Sequence, residues 1–351
     1  MAFVIGRETN RDESGPTGRL GSYRALDGSD GASLRLDVDT PHAILVVGKR
    51  GYGKSYTLGV IAEELACTGG VAPILIDPMG VFDTLTDQVK SESVPAEVIQ
   101  NPTVMPDVLD PKSWCSLLGL SPESGAGGLV WKAAQESTTV EGMKANVREA
   151  TAADRDVRSA HNHLSLADSW DVFDSDGLNA DTLSTGKVTV VDVSGHDDAP
   201  MNAICRGVGN ALYRARLSNT IDRLPWLLVD EAHAFFGGVA NETLQLLLTR
   251  GRAPGVSLVT ATQRPSAIPA VGISQSDILI SHRLTAQSDL AALESAKPTY
   301  LQGEFGERMP TTPGDVVIID DATETVHGAR IRNRKTSHGG KSPRASTAMR
   351  N

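Results

Sequence analysis

The sequence predicts an α/β fold built on one mainly parallel sheet flanked by helices, and three observations carry that prediction. Apolar runs of strand length recur along the 351 residues at 43–47, 72–77, 188–193, 226–230 and 256–262, with later ones at 277–281 and 315–320. Helical patterns separate them, the alternation that right-handed crossovers between parallel strands require. The first run feeds a glycine-rich loop and the fourth ends in an acidic pair, polar groups emerging where open α/β sheets bind ligands.

Residues 1–40 are rich in Gly, Asp and Ser, and Leu34-Arg35-Leu36-Asp37-Val38 alternates at period two. This predicts a short N-terminal extension with a hairpin and a strand, too little for a closed barrel. The core is expected over 41–334 as one large domain.

Directly after Ala43-Ile44-Leu45-Val46-Val47 comes Gly48-Lys49-Arg50-Gly51-Tyr52-Gly53-Lys54-Ser55, which matches G-x-x-x-x-G-K-[ST] at every fixed position. A helical pattern over 57–66 leaves the loop, so both flanks fit a phosphate-binding loop. Such a loop curls its backbone N–H groups inward around phosphate oxygens, helped by the positive end of the following helix. Lys54 would reach the β- and γ-phosphates of ATP, and the Ser55 hydroxyl would hold Mg²⁺. The nucleotide-binding stretch is taken as Gly48 to Tyr56.

Asp77 ends the second strand ahead of Pro78-Met79-Gly80 and serves either Mg²⁺ and water or the turn itself. From 84 to 186 a long segment interrupts the strand–helix rhythm. Its start is punctuated by Pro95, Pro102, Pro106 and Pro111, and it then becomes helical over 129–134 and 140–166. It is expected to be a largely helical insertion. Arg148, Arg155 and Arg158 fall on related turns there, with Glu149, Asp154 and Asp156 interleaved, a pattern more typical of a solvated face than of a basic strip.

Trp226-Leu227-Leu228-Val229 runs into Asp230-Glu231-Ala232-His233. A buried strand ending this way places Asp230 as a partner of Mg²⁺ and Glu231 as the base that polarises an attacking water. The next strand ends in Gln263-Arg264-Pro265, and an amide at that tip is positioned to sense the γ-phosphate. Arg250 and Arg252 close the helical run 242–249. Either guanidinium is suited to stabilise transition-state charge, offered in trans to a neighbour's ATP within a ring, or to complement the helix dipole.

The stretches 48–57, Asp-Pro-Met-Gly at 77–80, Val-Asp-Glu-Ala-His at 229–233 and Thr-Gln-Arg-Pro-Ser at 262–266 together resemble the HerA/FtsK superfamily, most of all archaeal HerA-type ATPases. Val190 to Gly195, Ile280 to Thr285 and Gly314 to Asp320 match as well, so the likeness spans about 40–334. The resemblance implies a RecA-like core, a homo-hexameric ring and ATP-driven movement of double-stranded DNA. It also implies the roles given above for Lys54, Ser55, Asp230, Glu231 and Gln263. HerA proteins usually carry an N-terminal β-barrel that helps assemble the ring and bind a nuclease partner. A core with only a short extension also resembles viral packaging and plasmid-encoded members. Ile331-Arg332-Asn333-Arg334 resembles a family element that reaches toward nucleotide.

Composition narrows the setting. The formal net charge is −10, Asp dominates the acidic set, Arg outnumbers Lys and aromatics are few. That is the surface expected of a chain kept soluble at high salt, pointing to a haloarchaeal host or its virus. Screening in molar salt weakens counterion release, so DNA contact would rest on closely placed donors. No apolar run reaches membrane-spanning length and no signal-peptide core is visible, so a cytoplasmic protein without a membrane role is expected. Cys67, Cys115 and Cys205 lack C-x-x-C spacing and are expected as reduced thiols, and His161 and His163 lack a third ligand. The stretch 335–351 is polar, basic and aperiodic, the pattern of a disordered tail. A nucleotide-driven assembly switch and a small-molecule kinase are the rival readings. A GTPase is disfavoured because no Asn-Lys-x-Asp occurs.

Overall fold

The computed structural model describes residues 3–7, 14–25, 28–87, 93–296, 298–300 and 305–339. Its strands are β1 (Phe3–Ile5), β2 (Thr17–Arg24), β3 (Asp30–Asp37), β4 (Ala43–Val47), β5 (Val71–Asp77), β6 (Ala96–Ile99), β7 (Val188–Asp192), β8 (Leu224–Val229), β9 (Ser257–Thr262), β10 (Ile278–Ser281), β11 (Asp315–Asp320) and β12 (Thr325–Ile331). The helices are α1 (Lys54–Ala66), α2 (Pro111–Leu117), α3 (Gly125–Glu136), α4 (Val140–Glu149), α5 (Asp154–Asp168), α6 (Ala180–Leu183), α7 (Asp198–Leu217), α8 (His233–Phe236), α9 (Asn241–Arg250), α10 (Ala270–Ser274) and α11 (Gln287–Ser295).

All the strands join one 12-stranded sheet in the order β1-β3-β2-β12-β11-β10-β4-β9-β8-β5-β7-β6. From β10 to β6 every neighbouring pair is parallel. The rest is antiparallel except β1 against β3. This is the mainly parallel α/β sheet that the sequence predicts. Every residue of β5 and β9 is buried, because helices cover both faces and leave no polar side to the strand. Successive side chains take opposite faces. Leu45 and Val47 enter the core shared with α7, α9 and the insertion helices, whereas Ile44 and Val46 enter the core shared with α1 and the N-terminal strands.

Strands β1–β3 do not form a separate unit. β2 and β3 pair antiparallel, and β2 continues the sheet through Gly21 opposite Ile331 of β12. Within 84–186 the short strand β6 pairs in parallel with β7 as the sheet's edge, an element that the proline punctuation concealed. The remainder carries α2 to α6 joined by loops. The polar run over 140–166 is two helices, α4 and α5, broken at 150–153. Arg148 therefore stands on a different helix from Arg155 and Arg158, and its Nε donates to His161 Nε2 at 3.1 Å. The insertion is fastened to α7 by Arg206, whose buried guanidinium meets Asp110 at 2.7 Å and Glu242 at 3.1 Å. Cys115 and Cys205 are buried and Cys67 is exposed, all three free. No described helix is long and apolar enough to cross a membrane.

Two buried charge clusters tie distant segments to the core. His42, just ahead of β4, bonds Asp277 through Nδ1 at 2.7 Å and approaches Asp37 of β3 through Nε2 at 3.4 Å. Arg7 Nε donates to the same Asp37 at 2.9 Å. Burial alone would lower the His42 pKa, but the bonds from Asp277 and Asp37 outweigh it and raise it to about 9. The second cluster centres on Glu63, which is fully buried in α1. Its carboxylate accepts from Arg332 Nη1 at 2.8 Å, Lys335 N at 2.9 Å, Thr336 N at 3.0 Å and Thr336 Oγ1 at 2.7 Å. Arg334 lies over Gly59, where an added Cβ would stand 2.8 Å from the guanidinium carbon. Residues 335–339, expected in the disordered tail, are thus held against α1, and 340–351 lie outside the described residues.

Both clusters yield measurable consequences. The His42 pKa is raised above its ordinary value of about 6.5. Its stabilisation is therefore complete below that value and lost as pH rises through about 9, on the order of 3 kcal/mol in all. Thermal midpoints recorded from pH 7 to 10 should fall by several degrees in the native chain and stay flatter in His42→Gln. Glu63→Ala leaves buried arginines without their anion and should cost roughly 3–5 kcal/mol in urea unfolding.

Candidate active site

The site forms where β4, β8 and β9 end together. β9 lies between the other two, with Val47 opposite Thr262 and Val229 opposite Thr260. The loop after β4 runs from Gly48 into Gly53, which caps α1 in the left-handed region at φ 112°. Gly51 is also left-handed at φ 82°. The first N–H groups of α1 have no intrahelical acceptor and face the loop's concavity. The loop is braced from beneath, where Lys49 N–H donates to the Arg283 carbonyl at 2.8 Å. The Lys49 ammonium sits 4.5 Å from the centre of the Tyr52 ring. Arg50 and Gly51 are exposed at the loop's tip.

Lys54 is 4% exposed. Burial lowers its pKa, partly offset by the nearby Glu231 and Asp230 carboxylates. Ser55 Oγ donates to Asp230 Oδ2 at 2.8 Å. Two hard oxygen donors thus converge at the start of α1, the donor type that Mg²⁺ takes beside phosphate oxygens. The residues fit that ion. Burial, then the neighbouring Glu231, push the Asp230 pKa up to about 7. A divalent cation at this position would reverse that balance and favour the carboxylate.

Glu231 adopts φ 46°, a left-handed conformation that costs a non-glycine residue on the order of 1 kcal/mol. Its N–H donates to Asp230 Oδ1 at 3.0 Å, which anchors the turn. Gln263 Nε2 donates to Glu231 Oε1. Glu231 Oε2 is buried without a hydrogen-bond partner, with His233 Nδ1 3.5 Å away. An acceptor oxygen left open beside an amide is the arrangement that receives a water. Thr262 Oγ1 holds His233 Nδ1 at 3.2 Å and so fixes the ring's place.

The loop from Arg50, Lys54, Ser55, Glu231 and Gln263 line a cavity of about 560 Å³. His282, Pro313, Gly314, Arg330, Asn333 and His338 line it as well. Tyr56 joins α1 to the C-terminal part of this lining. Its hydroxyl accepts Arg334 N–H at 2.6 Å, and its ring meets His338 edge-on at 5.4 Å between centroids.

Gly48 through Tyr56, Asp230, Glu231 and Gln263 are therefore brought together. Arg250 and Arg252 are not. Both are exposed and precede the start of β9, at the sheet edge opposite the loop. Asp77 serves its turn, with Oδ1 accepting from Met79 N at 3.0 Å and Oδ2 from Phe82 N at 2.8 Å. Burial raises its pKa to about 6. Among the described residues no group of three or more His, Cys, Asp or Glu could hold a metal. Sequence reasoning gave no role to His282 or His233. His282 directly follows β10 and His233 opens α8 just past the acidic pair, and that closeness to the motifs is the one signal that pointed to them.

Lys54→Ala removes the buried cation at the start of α1, worth about 1.5–3 kcal/mol as a charged hydrogen bond if the loop takes a triphosphate. ATP affinity measured by calorimetry should fall roughly 10- to 100-fold while the thermal midpoint holds.

Comparison with known proteins bears on fold and family. Among solved structures, VirB4 of Thermoanaerobacter pseudethanolicus aligns with TM-score 0.69 at 16% identity, covering 92% of this chain and 97% of that one. The bacterial conjugative coupling protein TrwB, in an unbound form, aligns with TM-score 0.59 at 14% identity over 96% and 98% of the two chains. TrwB in complex with the non-hydrolysable GTP analogue GDPNP gives TM-score 0.57 at 13% identity over 95% and 99%. At such identities the likeness speaks for the fold, a RecA-like core. No curated protein matches the sequence. A family model described as the central domain of helicase HerA matches residues 19–208. Because that match spans more than half of the 351 residues, the chain belongs to the HerA family, within the HerA/FtsK superfamily of P-loop ATPases.

Proposed function

We propose that the protein hydrolyses ATP and couples hydrolysis to the movement of double-stranded DNA through a homo-hexameric ring. The observation that carries the hydrolytic reading is the unpartnered carboxylate oxygen of Glu231, beside Gln263 and one residue from the Ser55–Asp230 contact. A base so close to the phosphate loop serves turnover rather than passive binding.

The chain's own residues divide the work. The loop N–H groups and Lys54 orient the triphosphate and offset charge that develops on the γ-phosphoryl group. Ser55 and Asp230 would hold Mg²⁺, which when bound supplies charge neutralisation at phosphate oxygens. Glu231 orients the attacking water and accepts its proton. Gln263 holds Glu231 in place and reads whether the γ-phosphate is present. Arg250 or Arg252, on the far edge of the sheet, is offered to a neighbouring subunit's site. Family membership supports DNA as the partner, and a nuclease partner follows from the same kinship. Transfer or packaging of DNA is the second reading. It draws on the likeness in fold to VirB4 and to a conjugative coupling protein over nearly the whole chain.

The test is ATP turnover in high-salt buffer, suited to the acidic surface, with and without linear double-stranded DNA. Native protein should be stimulated by DNA, and Glu231→Gln should lose turnover roughly 10²- to 10⁴-fold while still binding ATP. Turnover indifferent to DNA would replace the translocase with an assembly switch.

A further inference from the structure

The structure assigns His282 as a positioning residue for the phosphate-binding loop, acting through its ring and through Thr57. This rests on the nucleotide-binding reading of the site and deepens it. His282 follows β10 and is fully buried beneath the loop, with its N–H donating to the Val47 carbonyl at 2.8 Å. A Cβ added at Gly48 would meet its Cβ at 2.5 Å, and one added at Gly53 would meet Cε1 at 3.1 Å. Gly48 is therefore imposed by the Cβ of residue 282, and Gly53, which closes the loop's curl, by the imidazole itself. Nε2 bonds Thr57 Oγ1 at 2.9 Å, which fixes the first turn of α1. Nδ1 is buried without a full hydrogen bond, and the backbone of Tyr52 is the polar group beside it.

An apolar side chain would fill the same space without leaving an unsatisfied buried nitrogen, which costs about 1–3 kcal/mol. The imidazole is explained if that nitrogen is used in another state of the loop. When nucleotide draws the N–H groups inward, the Tyr52 peptide closes on Nδ1 and the bond forms. The ring stays neutral throughout. Burial, then the Lys54 charge, lower its pKa to about 3. Binding energy is thereby spent on ordering the loop, with Thr57 carrying the order into α1.

The experiment is calorimetric ATP binding, with thermal melts, for native protein, His282→Leu, His282→Asn and Thr57→Val. Asn keeps a polar atom near the place of Nδ1, whereas Leu keeps only bulk. His282→Leu should bind ATP at least roughly tenfold more weakly, equivalent to about 1.4 kcal/mol. His282→Asn should recover most of that loss. Thr57→Val, a shape-conserving change, should weaken binding severalfold and serves as the test if His282→Leu does not fold. Native affinity in His282→Leu or in Thr57→Val would overturn the inference, as would His282→Asn no better than Leu. Failure of the native chain to bind ATP would instead overturn the reading of the site on which this rests.

Discussion

The placement of β9 between β4 and β8 is the constraint on which the site depends. Neighbouring strands stand about 4.8 Å apart, so the loop strand and the acidic strand are separated by about 10 Å at the sheet. Their side chains meet only above the intervening tip. Ser55 reaches across from the first turn of α1 and Asp230 from the end of β8, closing to 2.8 Å. The residue leaving β9 is then held between the two halves, and Gln263 meets Glu231 there. The register is locked just past the strand end, where Ala232 N–H donates to the Ala261 carbonyl at 2.8 Å. Were β4 and β8 adjacent, no third side chain would be interposed, and the Glu231 carboxylate would lack its amide partner.

The rest of the sheet acts as a frame for that arrangement. β10 flanks β4 on its other side and delivers His282 and Arg283 under the loop. The antiparallel strands beyond β10 bring the C-terminal segment back over α1, where Glu63 gathers it. The helix that begins with Lys54 and Ser55 is thus held at both ends, by the loop at its start and by a buried carboxylate two turns on. The mid-helix Gly59 lowers helix propensity by about 1 kcal/mol relative to alanine, and the space it leaves admits Arg334.

Much of this was legible in the sequence where the signal is local. The phosphate loop is a run of fixed spacings, and the strands on either side of it are apolar enough to stand out. Asp230, Glu231 and Gln263 were legible because polar residues at parallel strand tips mark the ligand edge of such sheets. His282 was given no role, because its place at a strand end was the one local signal and its partner Thr57 lies 225 residues away. Glu63 looks like half of an acidic pair on a solvated helix until the returning chain covers it. β6 is four residues of half-buried strand among prolines. The break between α4 and α5 falls in Ala150-Thr151-Ala152-Ala153, which contains neither of the usual breakers, and only the packing of the two helices against each other demands it.

The interposed strand also has a consequence for how the chain comes to be folded. β4 has no hydrogen-bonded neighbour nearby in sequence. Its partners are β9 and β10, and Thr260 and Ile44, whose side chain and carbonyl meet in the finished sheet, are 216 residues apart. During synthesis Ile44, Leu45, Val46 and Val47 therefore emerge as a bare apolar strand that waits for two later strands before either of its edges is satisfied. Long-range parallel pairing of this kind is slow, and the waiting strand is open to wrong partners. The same strand order that gathers the site thus sets a long delay between the synthesis of β4 and its pairing.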